Sequence, residues 1–269
     1  MSKNARFFAA PYCIWGAGFI IIPLIIILLY GFSDANGNFT LANIEAIFSH
    51  VNLKALLFSM LLSIGSTLIC LLIAYPLASI LAEFGKNKSS LLALIFILPM
   101  WMNSLLRTLA WQNLLEKTGL INAVLKFFHL PEMMIINTPW AIILGMVYDF
   151  LPFMILPIYN ILCKIDIEYK NAARDLGANS WQTFWRVTWP LSLPGVLSGI
   201  TMVFVPSLTT FVISDILGGG KILLIGNIIE QLFTQDNDRN AGAGLSVVMM
   251  IFIVISTLIT DKYDKEGSV

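Results

Sequence analysis

The chain has 269 residues, of which 58% are apolar and only 12% are charged. Soluble globular proteins carry about 25% charged residues, so this composition excludes an ordinary water-soluble domain and predicts an all-α integral membrane protein. Sixteen basic side chains balance sixteen acidic ones, so the net charge of zero argues neither for nor against a nucleic-acid partner, and we expect none. We expect one transmembrane domain, residues 1–269, embedded in the lipid bilayer.

Six segments are long and apolar enough to span a membrane, which takes about 20 mostly apolar residues per helix. The first segment follows basic residues as a signal sequence does, but it is too long for a cleaved one, so we interpret it as a retained helix. Shorter apolar runs at 120–128 and 222–233 are predicted to lie at the membrane interface or to line a cavity. The predicted spans are 12–32, 56–82, 90–112, 139–162, 191–214 and 243–260.

The distribution of Lys and Arg predicts the orientation of these spans. With the N-terminus inside, ten basic residues lie on the inner side and six on the outer side. This bias predicts that both termini are cytoplasmic and that the polar segment 163–190, between the fourth and fifth spans, is cytoplasmic too.

The polar segment 163–190 has the pattern of a folded surface and not of a slack linker. Its first half predicts a short helix with one apolar stripe, which ends where Gly177 takes a left-handed conformation. Asn179 predicts the cap of a second short helix, with Gln182 as its capping-box partner. We expect such a surface to dock a partner. The two stripes are Tyr169, Ala172, Ala173 and Leu176, then Trp181, Phe184, Trp185 and Thr188.

Three charged side chains lie within or at the end of predicted spans, where charge is costly and usually functional. They are Arg107 in the third span, Asp149 in the fourth and Asp215 at the outer end of the fifth. In a structural interpretation, Arg107 and Asp149 neutralise each other and Asp215 caps the membrane edge. In a functional interpretation, carboxylates and aromatic faces form a pathway for a cation. The aromatic candidates are Trp101, Trp111, Tyr148 and Phe211, although Trp and Tyr are also ordinary interface anchors.

Other polar and small residues carry weaker signals. Asn103 and Ser104 are expected to be buried and bonded to a neighbouring helix, and Gly195 and Gly199 have a spacing that permits close helix contact. The three cysteines, Cys13, Cys70 and Cys163, are interpreted as packing residues. The sequence has no recognisable hydrolase, metal-binding or phosphate-loop motif, so we expect no catalytic residue and no metal or nucleotide site in this chain.

The polar segment also resembles the cytoplasmic signature of bacterial ABC importer permeases. That signature runs Glu-Ala-Ala, three residues, Gly, nine residues, Ile, one residue, Leu-Pro. This chain keeps the spacing but has Asn171 in place of Glu, Val187 in place of Ile and Trp189 in place of Leu. Residues 99–107, 172–178 and 214–227 resemble the permeases of spermidine/putrescine importers, in particular the B-type subunit, and the resemblance covers nearly the whole chain.

The resemblance implies a six-helix bundle of the type I ABC importer permease class with a cytoplasmic coupling helix, in the cell membrane of a bacterium. It implies that two related permeases pair, that each docks on a dimeric ATPase, and that an extracytoplasmic binding protein delivers the polyamine. ATP and Mg²⁺ would be bound by the ATPase, so this chain would be a non-catalytic subunit without a cofactor. The implied coupling residues are Asn171, Ala172, Ala173, Arg174, Asp175 and Gly177. The pathway candidates are Asp215 first and Asp149 second, with Trp101, Tyr148 and Phe211, while Arg107 organises the site.

Two alternatives stay open on the sequence. A permease of the same fold could import sulfate, molybdate, iron or an organic anion, with Arg107 and Lys221 as its substrate contacts. A self-sufficient secondary carrier is the other alternative, although many such carriers are built from internal repeats, and we find none here.

Overall fold

Apolar runs form most of the helices of this protein, and several helices begin at a polar side chain that caps the first turn. Its computed structural model describes residues 15–83 and 98–266, with side chains except at 259 and 261–266. Within these ranges the regular structure is helical, apart from an isolated β-bridge between Ser33 and Phe39. The helices used below are α1 (Ile22–Gly31), α2 (His50–Glu83), α3 (Ser104–Leu115), α4 (Leu120–Phe127), α5 (Pro139–Leu162), α6 (Ile167–Asp175), α7 (Ser180–Thr209), α8 (Val212–Gly218), α9 (Ile225–Thr234) and α10 (Arg239–Glu266).

Four helices of the described residues are long and apolar enough to cross a membrane: α2, α5, α7 and the Arg239–Leu258 part of α10. The predicted spans 56–82, 139–162 and 243–260 lie within α2, α5 and α10. Spans 12–32 and 90–112 begin outside the described residues, and Cys13 also lies outside them. Their described parts lead through a π-turn at Ala17–Ile21 into α1 and through a 3₁₀ turn at Leu98–Trp101 into α3.

The prediction of a continuous fifth span at 191–214 was wrong. Helix α7 begins at Ser180 and continues through a π-helical turn at Phe184–Thr188, so the second short helix of the polar segment is the start of α7 itself. At its other end α7 stops at Thr209, because Thr210 takes an extended conformation, and α8 follows as a separate helix. We call residues 210–211 the α7–α8 break.

The prediction that Asn103 and Ser104 are buried was also wrong. Both are exposed at the start of α3. The Asn103 side chain accepts a hydrogen bond from the Leu105 backbone N–H at 2.9 Å. Asn103 is therefore a helix cap, which satisfies a free N–H of the first turn instead of a group on another helix.

Two compact units make up the described chain. The first runs to Lys54 and includes Ile228–Ile253, and the second comprises Ala55–Asn227 and the residues from Val254 onward. In the first unit the Asn43 amide donates to the carbonyls of Gly31 (3.2 Å) and Ser33 (2.8 Å), and the Asn240 amide also donates to the Ser33 carbonyl (2.5 Å). These bonds hold the chain that follows α1 against the start of α10.

The second unit is built on the close contact between α5 and α7. A Cβ atom added to Gly195 would lie 2.8 Å from the Pro157 carbonyl oxygen, and one added to Gly199 would lie 2.6 Å from Sδ of Met154. The close helix contact expected from the spacing of the two glycines is thus present. The buried core lies in two clusters, one around Tyr75, Met154 and Ile158 and the other around Leu62, Met146 and Leu217.

Candidate functional site

Arg107 and Asp149 meet inside the second unit. The guanidinium Nη1 of Arg107 lies 3.3 Å from Oδ1 of Asp149, and the two residues are only 8% and 4% exposed. Nε and Nη1 of Arg107 have no hydrogen-bond partner among the described residues, so the contact is electrostatic without an aligned N–H···O bond. The two charges offset each other in a region where either alone would be costly. This geometry matches the structural interpretation of the pair.

Tyr148 covers the Arg107 side of this pair. The Arg107 Cζ atom lies 5.9 Å from the centre of the Tyr148 ring, and Trp111 meets the same ring edge-on at 5.4 Å. Tyr148 and Trp111 also line an apolar groove of about 750 Å³. Trp101 lies in the 3₁₀ turn before α3 and is largely exposed, so the structure does not place it in this aromatic contact.

The segment between α3 and α5, which contains α4, forms one edge of the same groove. The Asn122 side chain donates to the Met133 carbonyl (3.0 Å) and accepts from the Met133 N–H (2.9 Å), which places Met133 on the lining. Lys126 and Glu132 form an ion pair at 3.0 Å in this segment. The hydrogen bond from Lys126 and its charge hold the pKa of Glu132 below the usual value.

Asp215 and Phe211 lie together at the α7–α8 break. Phe211 precedes the first residue of α8, and Asp215 is one turn further on, with its backbone N–H bonded to the Phe211 carbonyl at 2.9 Å. Both side chains are exposed. In contrast to Asp149, Asp215 accepts its hydrogen bond from a neutral amide, Nδ2 of Asn227, at 3.1 Å. Its negative charge is therefore not offset by that partner.

Asn227 has a role at this break that the sequence interpretation missed. It is 4% exposed and bonds to Phe211, Ser214, Asp215 and Leu224. The signal was present in the sequence, because an amide in the apolar run 222–233 needs hydrogen-bond partners once it is buried. The identity of those partners depends on the α7–α8 break and could not be read from the run itself.

The implied coupling residues lie on and after α6, which has no buried residue. Asp166 caps this helix by accepting from the Glu168 N–H at 3.1 Å, and Gly177 ends it with φ of +85°. Asn179 and Gln182 then form the predicted capping box of α7, with bonds of 2.8 and 3.0 Å. Asn171, Ala172, Arg174 and Asp175 are exposed and Ala173 is half-buried.

The apolar side chains around this turn are also uncovered. Leu176 is 89% exposed, and the predicted stripe residue Tyr169 is exposed as well. Trp181 and Trp185, which meet edge-on at 5.6 Å, are exposed on the first turns of α7. We call Tyr169, Leu176, Trp181 and Trp185 the apolar coupling surface. A patch of exposed large apolar side chains of this kind is typical of a surface for a partner.

Lys170, which is half-buried, and Arg174, which is exposed, lie beside a small cavity next to α6. They line this cavity of about 300 Å³ together with Glu83 at the end of α2 and Thr183 and Thr188 of α7. The cavity lies where α6 meets the ends of the long helices.

Comparisons with known proteins connect this chain to a transport family. A family model described as "Binding-protein-dependent transport system inner membrane component" matches residues 74–265. The spermidine/putrescine transport system permease protein PotB of Haemophilus influenzae is 36% identical, over 90% of this chain and 88% of its own length. PotB of Escherichia coli is 35% identical, over 91% of this chain and 92% of its own length.

A solved structure has the same fold. The crystal structure of a bacterial alginate ABC transporter, in complex with an alginate pentasaccharide-bound periplasmic protein, matches with a TM-score of 0.81 at 17% sequence identity. The match covers 98% of this chain and 94% of that chain. At this identity the likeness is one of fold alone.

Proposed function

Because the chain belongs to the family of binding-protein-dependent transport system inner membrane components and is a membrane permease, we propose that its substrates are polyamines such as spermidine and putrescine. The predicted fold class and the predicted resemblance to this family are both confirmed. The observation that carries the proposal is the similarity to the two PotB permeases, which extends over 90% and 91% of this chain.

The carboxylate at the α7–α8 break supports this substrate class. A polyamine is an apolar chain that carries several ammonium groups, so its binding needs uncompensated carboxylates and aromatic faces. Asp215 is exposed beside a neutral amide, and Phe211 is exposed on the preceding turn. Asp149 is buried against Arg107 and is a weaker candidate for an ammonium ligand in this conformation. Asp215 therefore stays the first candidate and Asp149 the second.

The alternative of an anionic substrate is less well supported. Arg107 was its main candidate contact, and its side chain is buried in a pair with Asp149. Lys221 is exposed and follows the glycine-rich turn after α8. The other alternative, a self-sufficient secondary carrier, does not fit a family whose members depend on a binding protein.

The proposed assembly contains a second related permease, an ATPase dimer that holds ATP and Mg²⁺, and an extracytoplasmic binding protein. With both termini in the cytoplasm, α6 and the apolar coupling surface face the ATPase. Asn171 is exposed and neutral at the position where the family signature has Glu. We propose that docking here rests on the shape and apolar area of this surface more than on charge.

Uptake in reconstituted vesicles tests the substrate. The four components are assembled in proteoliposomes, and entry of radiolabelled spermidine, putrescine and sulfate is measured with and without ATP. We expect ATP-dependent entry of the two polyamines and none of sulfate. ATP-dependent sulfate uptake without polyamine uptake would overturn the proposal.

Replacement of Gly177 by valine tests the coupling role of its turn. A β-branched residue is strongly disfavoured at a φ of +85°, so Gly177→Val should distort the exit from α6. We expect polyamine uptake to fall at least about tenfold while the ATPase still hydrolyses ATP. The variant should insert into the membrane normally but dock on the ATPase with the wrong geometry. Gly37→Val is the matched control, because Gly37 has a φ of +81° and equally open surroundings. Unchanged uptake per ATP in Gly177→Val would show that this turn does not couple.

A further inference from the structure

The carbonyl of Phe211 collects three hydrogen bonds at the α7–α8 break. It accepts from the Asp215 N–H (2.9 Å), from Nδ2 of Asn227 (3.2 Å) and from Oγ of Ser214 (2.9 Å), whose single proton is shared with Oδ1 of Asn227. Two of these bonds come from α8 and the third comes from α9. The bond from the Asp215 N–H is the first helical bond of α8, and the bond from Asn227 ties the start of α9 to the same carbonyl, so Asn227 is part of what stabilises the break.

The close approach of α9 to the break depends on Gly226. A Cβ atom at this position would lie 2.7 Å from the Thr209 carbonyl oxygen and 3.1 Å from that of Thr210. Distances under 3.0 Å are not tolerated against backbone, so a side chain at 226 would push α9 away. The absence of that side chain brings Asn227 within reach of both Phe211 and Asp215.

The Asn227 amide has one orientation that satisfies its neighbours. Oδ1 accepts from Oγ of Ser214 (2.5 Å) and from the Leu224 N–H (3.1 Å). Nδ2 donates to the Phe211 carbonyl and to Oδ1 of Asp215. A flipped amide would set its NH₂ group against the Leu224 N–H and its oxygen against the Phe211 carbonyl, so the network itself fixes the orientation.

This fixed amide limits the freedom of an exposed carboxylate. An exposed Asp side chain ordinarily samples several rotamers, and ordering it on substrate binding costs entropy. Asn227 is buried and held at four points, and it bonds to Oδ1 of Asp215 without neutralising the charge. Asp215 is thus held in one place and keeps its full attraction for a cation.

Building on the proposed polyamine substrate, we infer that Asn227 is a positioning residue that presents the Asp215 carboxylate to an ammonium group of the substrate. It acts through Asp215 and does not touch the substrate. Ser214 assists by donating to Oδ1 of Asn227, which leaves both amide hydrogens for Phe211 and Asp215.

A double-mutant cycle tests this inference. The dissociation constant of spermidine is measured on the purified permease–ATPase complex without binding protein, for Asn227→Ala, Asp215→Asn and the double variant. We expect each single change to raise the Kd about tenfold, as the loss of a hydrogen bond to a charged group does. In the Asp215→Asn background, Asn227→Ala should change the Kd less than about twofold, because the negative charge that Asn227 positions is gone even though its hydrogen-bond acceptor remains.

Two further variants separate positioning from folding. Asn122→Ala removes another buried amide of the second unit, 3% exposed and bonded to Met133 and Glu116, and should lower the Tm without changing the Kd. If Asn227→Ala does not fold, Ser214→Ala is measured instead. This variant keeps the Asn227 side chain but removes one of its hydrogen bonds, so the Kd should rise about threefold.

The possible outcomes are distinguishable. An equal effect of Asn227→Ala in both backgrounds, or a lowered Tm with an unchanged Kd, overturns the positioning role while the polyamine proposal stands. An unchanged Kd in Asp215→Asn removes Asp215 from the binding site, and the inference falls with it. A complex that takes up sulfate and does not bind spermidine overturns the proposed function itself.

Discussion

Asp149 and Asp215 are two carboxylates of one helical unit with opposite surroundings. Asp149 is buried on α5 and faces the guanidinium of Arg107, whereas Asp215 is exposed on α8 and is held by the neutral amide of Asn227. The first arrangement offsets the charge and the second preserves it. A carboxylate in a membrane protein is therefore available to a cationic substrate when its partner fixes its position without neutralising it.

The largest effect should come from removing one charge of the buried pair. Arg107→Met leaves the Asp149 carboxylate without its countercharge, which destabilises a protein by about 3–5 kcal/mol. We expect most of this variant to unfold or be degraded. The yield of monodisperse complex in detergent should therefore fall sharply. The double variant Arg107→Met, Asp149→Leu should recover folding, since an apolar pair of similar size can replace a buried ion pair. Normal folding of Arg107→Met with loss of transport alone would instead make Arg107 a functional residue.

The second-largest effect should distinguish the contributions of Asp215 and Asp149 to substrate uptake. Asp215→Asn keeps shape and hydrogen-bonding capacity but removes the charge, so uptake per folded complex at limiting substrate should fall about tenfold. Asp149→Asn should lower uptake per folded complex less, because its charge is already engaged by Arg107. Wild-type uptake by Asp215→Asn, or a larger loss in Asp149→Asn, would reverse the assignment of the two residues.

The smallest effect concerns the aromatic cover of the buried pair. Tyr148→Leu removes the ring that lies 5.9 Å from Arg107, a contact worth about 0.5–1 kcal/mol. We expect a Tm lower by a few degrees and nearly normal uptake. Tyr148→Phe keeps the ring face and serves as the control, with a Tm close to wild type. A loss of uptake without a loss of stability would place Tyr148 in the substrate pathway.

The features that could be predicted from the sequence are those set by local chemistry. Asn179 and Gln182 form their capping box within four residues, and Gly177 takes its positive φ where a helix ends. Thr138 and Pro139 likewise start α5 at the predicted residue, because a cap and a proline act on the turn beside them. Each of these signals is complete within one turn of helix.

The features that escaped prediction depend on distant partners. The α7–α8 break falls inside an apolar stretch, and average hydropathy does not change where a helix stops. The break is stabilised by Asn227, 16 residues beyond Phe211, and by the contact of Gly226 with Thr209. Asn103 was misjudged for a related reason. A polar residue in an apolar segment either caps a helix or bonds to a neighbouring helix, and the outcome for Asn103 depends on where α3 begins.

The apolar coupling surface has a consequence for how cells must make this protein. Tyr169, Leu176, Trp181 and Trp185 are exposed in the isolated chain, and the proposed docking on an ATPase would cover them. Exposed aromatic side chains of this kind are bound by chaperones and attract proteases. Under that proposal, copies made without their partner keep this surface uncovered, so balanced synthesis of the subunits would determine how much of this chain survives.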